Sequence, residues 1–168
     1  MTRFYSTALG ARDRRGFSSG NARIDRYFAN GLGQDVRRNY AACYVLVEKS
    51  DEKIAGFYTL SSSGVPLLEV PPDLAGKLPR YPTVPAVLIG WLARDKAYTG
   101  EGVGGLLLFD AFARICASPI GAHAIIVDAI DDAAAAFYRK YLFKPFANKP
   151  DSLFLPLTTA RRLIEADQ

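Results

Sequence analysis

The sequence predicts one α/β domain from residue 1 to residue 168, a mixed (α+β) sheet with helices on both faces. Three observations predict it. Two runs, Pro85 to Ala93 and Ala122 to Ala129, are apolar at nearly every position, the pattern of strands covered on both faces, and each leads into a helix signal. An earlier pair of β-branched and aromatic runs, Ala42 to Glu48 and Ile54 to Ser62, flanks the turn-forming Ser50-Asp51-Glu52-Lys53 and reads as an antiparallel hairpin. The length is enough to bury a core without metal or disulfide staples.

Before the hairpin, Asn21 to Gly31 predicts a short amphipathic helix, with Ile24, Tyr27 and Phe28 on one face and Arg23 and Arg26 on another; Gly31 and Gly33 then stop it. Residues 64 to 85 hold six prolines and no clear period, so this stretch is expected to be mainly loop, with one short helix near Pro72 to Gly76. Pro85 to Ala93 is then a central strand. Gly102 to Cys116 follows as a mostly buried helix whose only charges are Asp110 and Arg114, four apart in the favourable acid-first order. After the strand Ala122 to Ala129, Asp131-Asp132 begin a second helix with acids where they complement its dipole, running to about Tyr141. Phe143 to Phe146 and Ser152 to Leu157 are closing strands around the turn Asn148-Lys149-Pro150, and Thr158 to Ala166 is a terminal helix.

Composition narrows the function classes. Apolar residues make up 49% of the chain, and no repeat or low-complexity run appears, so a soluble globular protein rather than a disordered one is expected. The N-terminus lacks an apolar segment of signal-peptide length, and no stretch approaches the roughly 18 apolar residues of a membrane span, so a cytoplasmic protein with no membrane partner is expected. Cys43 and Cys116 lie far apart without CxxC spacing and read as small core residues rather than a disulfide. His123 is the only histidine and sits in an apolar run, leaving a histidine triad or a multi-histidine metal site little to build on; no metal is expected. Charge is local. Residues 1 to 40 carry eight Arg against three Asp, whereas the net charge of the whole chain is only +4. Fourteen of the 21 basic residues are Arg, whose planar fork matches phosphate oxygens. The charge alone fits either a solvated basic face or a phosphate-bearing partner.

The strongest motif is Thr99-Gly100-Glu101-Gly102-Val103-Gly104-Gly105, which follows a predicted buried strand and opens a predicted helix. Glycines let backbone approach a ligand, and the unpaired N–H groups of a first helical turn point at an arriving anion such as a pyrophosphate. The run lacks the Gly-Lys-Ser/Thr end of a P-loop and the spacing of a dinucleotide fingerprint, which argues against nucleotide hydrolysis and hydride transfer. Glycine count alone fits a plain tight turn equally well.

In its context the turn resembles the acetyl-CoA pyrophosphate loop of the GNAT family of N-acetyltransferases, written Gln/Arg-x-x-Gly-x-Gly/Ala. Gly102 and Gly104 match, and Thr99 stands where the family prefers Gln or Arg. Phe137-Tyr138 followed by Phe143 resembles the family's Phe-Tyr-x-x-x-Gly-Phe element, with Leu142 in place of Gly. The similarity covers roughly Tyr40 to Leu157. It implies the GNAT acyl-CoA N-acyltransferase fold, whose splayed central parallel strands, here Pro85 to Ala93 and Ala122 to Ala129, admit the cofactor's pantetheine arm. Acetyl-CoA is then the implied cofactor, with Leu92, Ala93, Arg94, Thr99, Gly100, Gly102, Val103, Gly104 and Gly105 as the binding residues.

A narrower resemblance is to the acetyltransferase toxins of bacterial type II toxin–antitoxin pairs, which acetylate the amino group of aminoacyl-tRNA and block translation. It rests on Ile24-Asp25-Arg26-Tyr27-Phe28, Gly56-Phe57-Tyr58-Thr59-Leu60-Ser61, Leu78-Pro79-Arg80-Tyr81-Pro82, Gly90-Trp91-Leu92-Ala93, Phe109-Asp110-Ala111 and Val127-Asp128-Ala129. One departure is Trp91, where that subfamily commonly has Arg. The resemblance implies aminoacyl-tRNA and a ribbon–helix–helix antitoxin as partners and admits a homodimer. Arg12, Arg14, Arg15, Arg23 and Arg26 are the expected tRNA-binding residues.

Acetyl transfer needs a neutral amine, a polarised thioester carbonyl and a proton for the departing thiolate. The resemblance puts Tyr138 at the catalytic tyrosine position, and a phenol suits the last role. Its spacing with Ala134, Phe137 and Tyr141 fits core packing as well. Backbone N–H groups around Leu92-Ala93 are the candidates to polarise the carbonyl. No general base stands out, but an α-amino group titrates at roughly 7.7–8.0 and is partly neutral without one. Asp128 either orients the amine or holds a turn, and Arg94 either holds cofactor phosphate or faces solvent. Two rivals stand beside the toxin reading: an acetyltransferase for a small amine or protein N-terminus, and a non-catalytic binding module that keeps the fold.

Overall fold

A computed structural model describes residues 3–168. Its strands are β1 (Phe4–Ala8), β2 (Ala42–Glu48), β3 (Ile54–Pro66), β4 (Thr83–Arg94), β5 (Ala124–Asp128), β6 (Lys144–Phe146) and β7 (Lys149–Pro156). They form one mixed seven-stranded sheet in the order β1-β2-β3-β4-β5-β7-β6. The helices are α1 (Ala22–Arg26), α2 (Leu32–Arg37), α3 (Pro72–Ala75), α4 (Val103–Ala117), α5 (Asp132–Lys140) and α6 (Leu157–Asp167). The α/β class expected from the sequence is the one observed. Contacts divide the chain into two units, residues 1–61 with 90–111 and residues 62–89 with 112–168.

In the first unit β1 runs antiparallel to β2, with Phe4 opposite Glu48 and Ala8 opposite Tyr44, and β2 runs antiparallel to β3. β1 has no counterpart in the sequence reading: its five residues, FYSTA, are too short to display a period. The predicted helix starts where expected, because the Asn21 side chain accepts from the N–H groups of Arg23 and Ile24 at 3.0 and 3.2 Å. It does not stop at Gly31 and Gly33. A π-helical turn, Tyr27–Gly31, carries it into α2 as far as Arg37. Gly31 serves packing instead: a Cβ there would lie 3.0 Å from the Tyr27 ring. Leu9, Ile24, Phe28, Leu32, Val45, Val47 and Phe57 form the core beneath this segment.

In the second unit β4 and β5 pair in parallel from Ala86 opposite Ala124 to Ile89 opposite Val127, and β5 and β6 each pair antiparallel with β7. Val65, Val70, Val84, Ala124, Ile126, Phe146 and Phe154 build its core. Two expectations need correction. β4 is not covered on both faces, since Thr83, Pro85 and Gly90 are exposed and Val87, Leu88, Trp91 and Leu92 only half-buried. The stretch 64–85 is less irregular than its prolines suggested: β3 extends to Pro66, a 3-10 turn covers Leu67–Glu69, and α3 forms where expected. The last hairpin turns at Ala147-Asn148, with Lys149 already opposite Phe146.

Candidate active site

The β4 ladder with β5 ends at Ile89, yet β4 continues to Arg94. That extension carries Leu92, Ala93 and Arg94. Its backbone is shaped by Thr59, whose Oγ1 accepts the Trp91 N–H at 3.1 Å. Gly90 lets this happen, because a Cβ there would lie 2.9 Å from the same hydroxyl. Arg94 is exposed, and its Nη2 lies 3.5 Å from Thr99 Oγ1. A guanidinium therefore stands beside Thr99, the position at which a Gln or Arg was expected. Next to it, buried Asp95 caps the following turn by accepting from Ala97 N–H at 2.9 Å and holds the N-terminal segment through Ser18 N–H at 3.1 Å.

The glycine turn follows. Gly100 and Gly102 both adopt left-handed backbone, φ +81° and +76°, with open space around each Cβ position. Glycine is required there by conformation rather than by crowding. The first backbone bond into α4 is Leu106 N–H to the Gly102 carbonyl at 3.2 Å, which leaves the N–H groups of Val103, Gly104 and Gly105 outside the helical ladder. Among the described residues no backbone bond occupies these three N–H groups, and a helical first turn open in this way at the start of a 15-residue helix, with Arg94 nearby, is suited to an anion.

The only acid in this turn, Glu101, would repel a diphosphate if left free. Arg3 holds it, with Nη1 2.6 Å from Glu101 Oε1, and bridges through Nε to Glu48 Oε1, also at 2.6 Å. Glu48 in turn accepts from the Tyr98 hydroxyl, one residue before Thr99. The Tyr98 hydrogen bond and the Arg3 guanidinium together hold the Glu48 carboxyl below its ordinary range. Arg3 and Glu48 were invisible as site residues in the sequence, since their partners lie 98 and 50 positions away.

Tyr138 belongs to the second unit. Its side chain is 7% exposed and packs edge-on against Phe137 and Phe143, centroids 5.3 and 5.4 Å apart. The end of α5 fixes it there. Phe143 N–H bonds the Tyr138 carbonyl at 3.3 Å and Leu142 N–H bonds the Arg139 carbonyl at 3.0 Å, the two bonds of a Schellman cap, and the Tyr138–Phe143 contact is the apolar clasp that accompanies it. The cap requires a left-handed residue at position 142. Leu142 supplies it at φ +73°, which explains why the family motif has Gly there and shows that the departure leaves the geometry in place. Among the described residues the Tyr138 hydroxyl has no hydrogen-bond partner, so its proton is not committed to another protein group. Burial raises the phenol well above its ordinary value and keeps it protonated through the physiological range. Packed ring and available proton coexist.

The five arginines are not equivalent. Arg14 donates from Nη1 to the Phe28 carbonyl at 2.7 Å, Arg15 pairs with Asp13 at 3.0 Å, and Arg12 donates to the Tyr5 hydroxyl at 3.0 Å. Arg15 holds the Asp13 carboxyl down at about 2. Arg23 and Arg26 are exposed and make no ion pair among the described residues, though Arg23 lies over the Trp91 ring at 5.6 Å. Asp128 accepts from Ser152 Oγ at 2.7 Å, opposite it in the ladder, which is a strand-end role. Cys43 and Cys116 are free thiols; burial pushes Cys43 up to about 12. His123 is exposed rather than buried, because its apolar run enters β5 only at Ala124. Among the described residues no cluster of His, Cys, Asp and Glu is arranged to hold a metal ion, and no helix is long and apolar enough to cross a membrane.

No family model matches the chain. Curated proteins do. It is 34% identical over 156 residues to a tRNA-acetylating toxin of Mycobacterium tuberculosis, covering 92% of each chain. It is 29% identical over 161 residues to a probable toxin TacT of Sinorhizobium fredii, covering 90% of this chain and 89% of that one. Among solved structures, AtaT complexed with acetyl-methionyl-tRNAfMet superposes with a TM-score of 0.86 at 24% identity, over 95% of this chain and 98% of that one. A variant AtaT toxin bound to the C-terminus of the antitoxin AtaR and acetyl-CoA gives 0.80 at 22% identity, over 96% and 98%. These structures establish the shared fold.

Proposed function

The chain belongs to the family of GNAT-type tRNA-acetylating toxins, and from that membership we propose that it transfers the acetyl group of acetyl-CoA to the α-amino group of an aminoacyl-tRNA and so blocks translation. It is an acetyl-CoA-dependent N-acetyltransferase. We read the two units as one catalytic domain, because β3, β4 and α4 each run from one into the other. The cytoplasm, where charged tRNA is found, is its place of action.

The observation that carries the active reading is Tyr138: a buried phenol locked by a helix cap, kept protonated, with its hydroxyl uncommitted to any other group among the described residues. Bound acetyl-CoA would supply the activated acetyl thioester. Val103, Gly104 and Gly105 N–H groups bind its diphosphate, assisted by Arg94, Thr99 and the left-handed Gly100 and Gly102. The backbone at Leu92 and Ala93 polarises the carbonyl; Trp91 N–H is already committed to Thr59. Tyr138 holds the proton destined for the departing sulfur, and the acceptor amine loses one as its bond to carbon forms. Exposed Arg23 and Arg26 carry the larger share of phosphate contact, with Arg12, Arg14 and Arg15 adding positive field around them. A ribbon–helix–helix antitoxin is the cognate inhibitor, in keeping with the AtaT–AtaR complex. A second copy of the chain is a further partner.

Tyr138→Phe tests the assignment, because it keeps the ring and deletes only the hydroxyl. Single-turnover acetylation of charged tRNA should slow by roughly 10²–10⁴-fold, the usual worth of positioned acid–base help, while equilibrium acetyl-CoA affinity stays near wild type. Near-normal turnover in a folded Tyr138→Phe protein would remove the acid role.

A further inference from the structure

Trp91 is the one position in the Gly90 to Ala93 element where a cation was expected and an indole is found. The structure surrounds it with a built arrangement. The Tyr27 ring stacks on it, centroids 4.1 Å apart and planes within 8°. The Arg23 guanidinium lies over it at 5.6 Å, contributed by the same helical segment four residues earlier. Tyr27 is itself held on two further sides: its hydroxyl donates to Asp35 Oδ2 at 2.8 Å, and its ring occupies the space that a Cβ on Gly31 would take. The π-helical turn Tyr27–Gly31, a geometry that recurs at functional sites, sets this ring position. Trp91 is also fixed through its backbone N–H to Thr59. Trp91 is half-buried on the core that holds Phe28 and Phe57, and above it stands an exposed guanidinium with no carboxylate partner among the described residues.

We infer that Trp91, Tyr27 and Arg23 form a stacking platform for the single-stranded 3′ end of the acceptor RNA. The inference rests on the aminoacyl-tRNA reading and adds where the terminal bases lie. Unpaired bases bind proteins by stacking on aromatic rings and on guanidinium planes, and a guanidinium also meets the adjoining phosphate. All three groups are present here, half-buried or exposed, with Trp91 on the strand extension that leads directly into Leu92 and Ala93 and Arg23 and Tyr27 reaching it from the helical segment. An acceptor end stacked on Trp91 places its ester-linked amino acid beside that stretch of backbone. A cation at Arg23 takes over the role that an arginine at position 91 would have played, with aromatic surface added.

Trp91 is the only tryptophan of the chain, so its fluorescence reports on the platform directly. Titrating the protein, without acetyl-CoA, with a short single-stranded RNA ending in CCA should quench that fluorescence saturably. Arg23→Ala should weaken the interaction by about tenfold. In acetylation assays with total charged bacterial tRNA, Trp91→Ala should raise KM by a similar factor with acetyl-CoA affinity unchanged, and Trp91→Phe should recover most of the loss. Fluorescence indifferent to an RNA that labelled-RNA anisotropy shows to be bound, or a folded Trp91→Phe and Arg23→Ala double variant with wild-type KM, would overturn the platform. Failure of the wild-type protein to acetylate any charged tRNA would instead overturn the reaction itself, and the two outcomes are read separately.

Discussion

Leu142 shows how a single residue can carry the history of a site without carrying its chemistry. The position needs left-handed backbone, and a side chain there costs roughly 1–2 kcal/mol, partly offset by the lower entropy of an unfolded chain with Leu instead of Gly. Leu142 is also 54% exposed, so it recovers little by burial. Leu142→Gly should therefore raise stability by up to about 1 kcal/mol in denaturant titration, with acetyl transfer unchanged. The spacing of Tyr138 and Phe143 was legible in the sequence because these residues close the cap's apolar clasp. The left-handed strain at Leu142 was not, since nothing local distinguishes this leucine from any other exposed one. Tyr138 gives a second test at this scale. Burial raises its phenol, so the stability it contributes is complete below the ordinary tyrosine value near pH ~10 and is lost as pH rises beyond it toward the folded-state value. Tyr138→Phe should flatten that alkaline loss in a pH series of melting curves.

At the scale of elements, the strand–turn–helix from β4 to α4 was readable because glycine is required at 100 and 102 by positive φ. Replacing Gly102 with Val should strain the turn and weaken acetyl-CoA binding in calorimetry; unchanged affinity in a folded Gly102→Val protein would misplace the diphosphate. What fixes the turn was unreadable, because Arg3, Glu48 and Tyr98 meet only once β1 and β2 are paired. We expect Arg3→Ala to raise the acetyl-CoA Kd several-fold by freeing Glu101 beside the diphosphate. Glu48 sits below its ordinary carboxyl value, so the anchor is intact from neutral pH down through about pH 5 and fails only as pH drops below the usual carboxylate range. An acetyl-CoA affinity that declines between pH 7 and pH 5 would contradict this. The helix of residues 22–37 was half legible: its face was right, but Gly31 and Gly33 read as a stop when the helix runs through both and Gly31 makes room for the Tyr27 ring.

For the molecule as a whole, the basic N-terminal segment separates a nucleic-acid substrate from a small amine. The sequence displayed that excess but not how its arginines are engaged: Arg14 donates to the Phe28 carbonyl and exposed Arg15 pairs with neighbouring Asp13, whereas exposed Arg23 and Arg26 make no ion pair among the described residues. Affinity for tRNA should fall steeply with salt, by a log–log slope of roughly −0.7 to −0.9 per phosphate neutralised, and Arg26→Glu should weaken binding and shallow that slope. A slope near zero would favour a small acceptor. The central claim meets its most direct test in one reaction, in which the purified protein is given acetyl-labelled acetyl-CoA with charged and with uncharged tRNA. The predicted result is label on charged tRNA alone, released on mild base as N-acetylated amino acid and sharply reduced with Tyr138→Phe. Label on uncharged tRNA, or none on any charged tRNA while a small amine or peptide is acetylated efficiently, would contradict it.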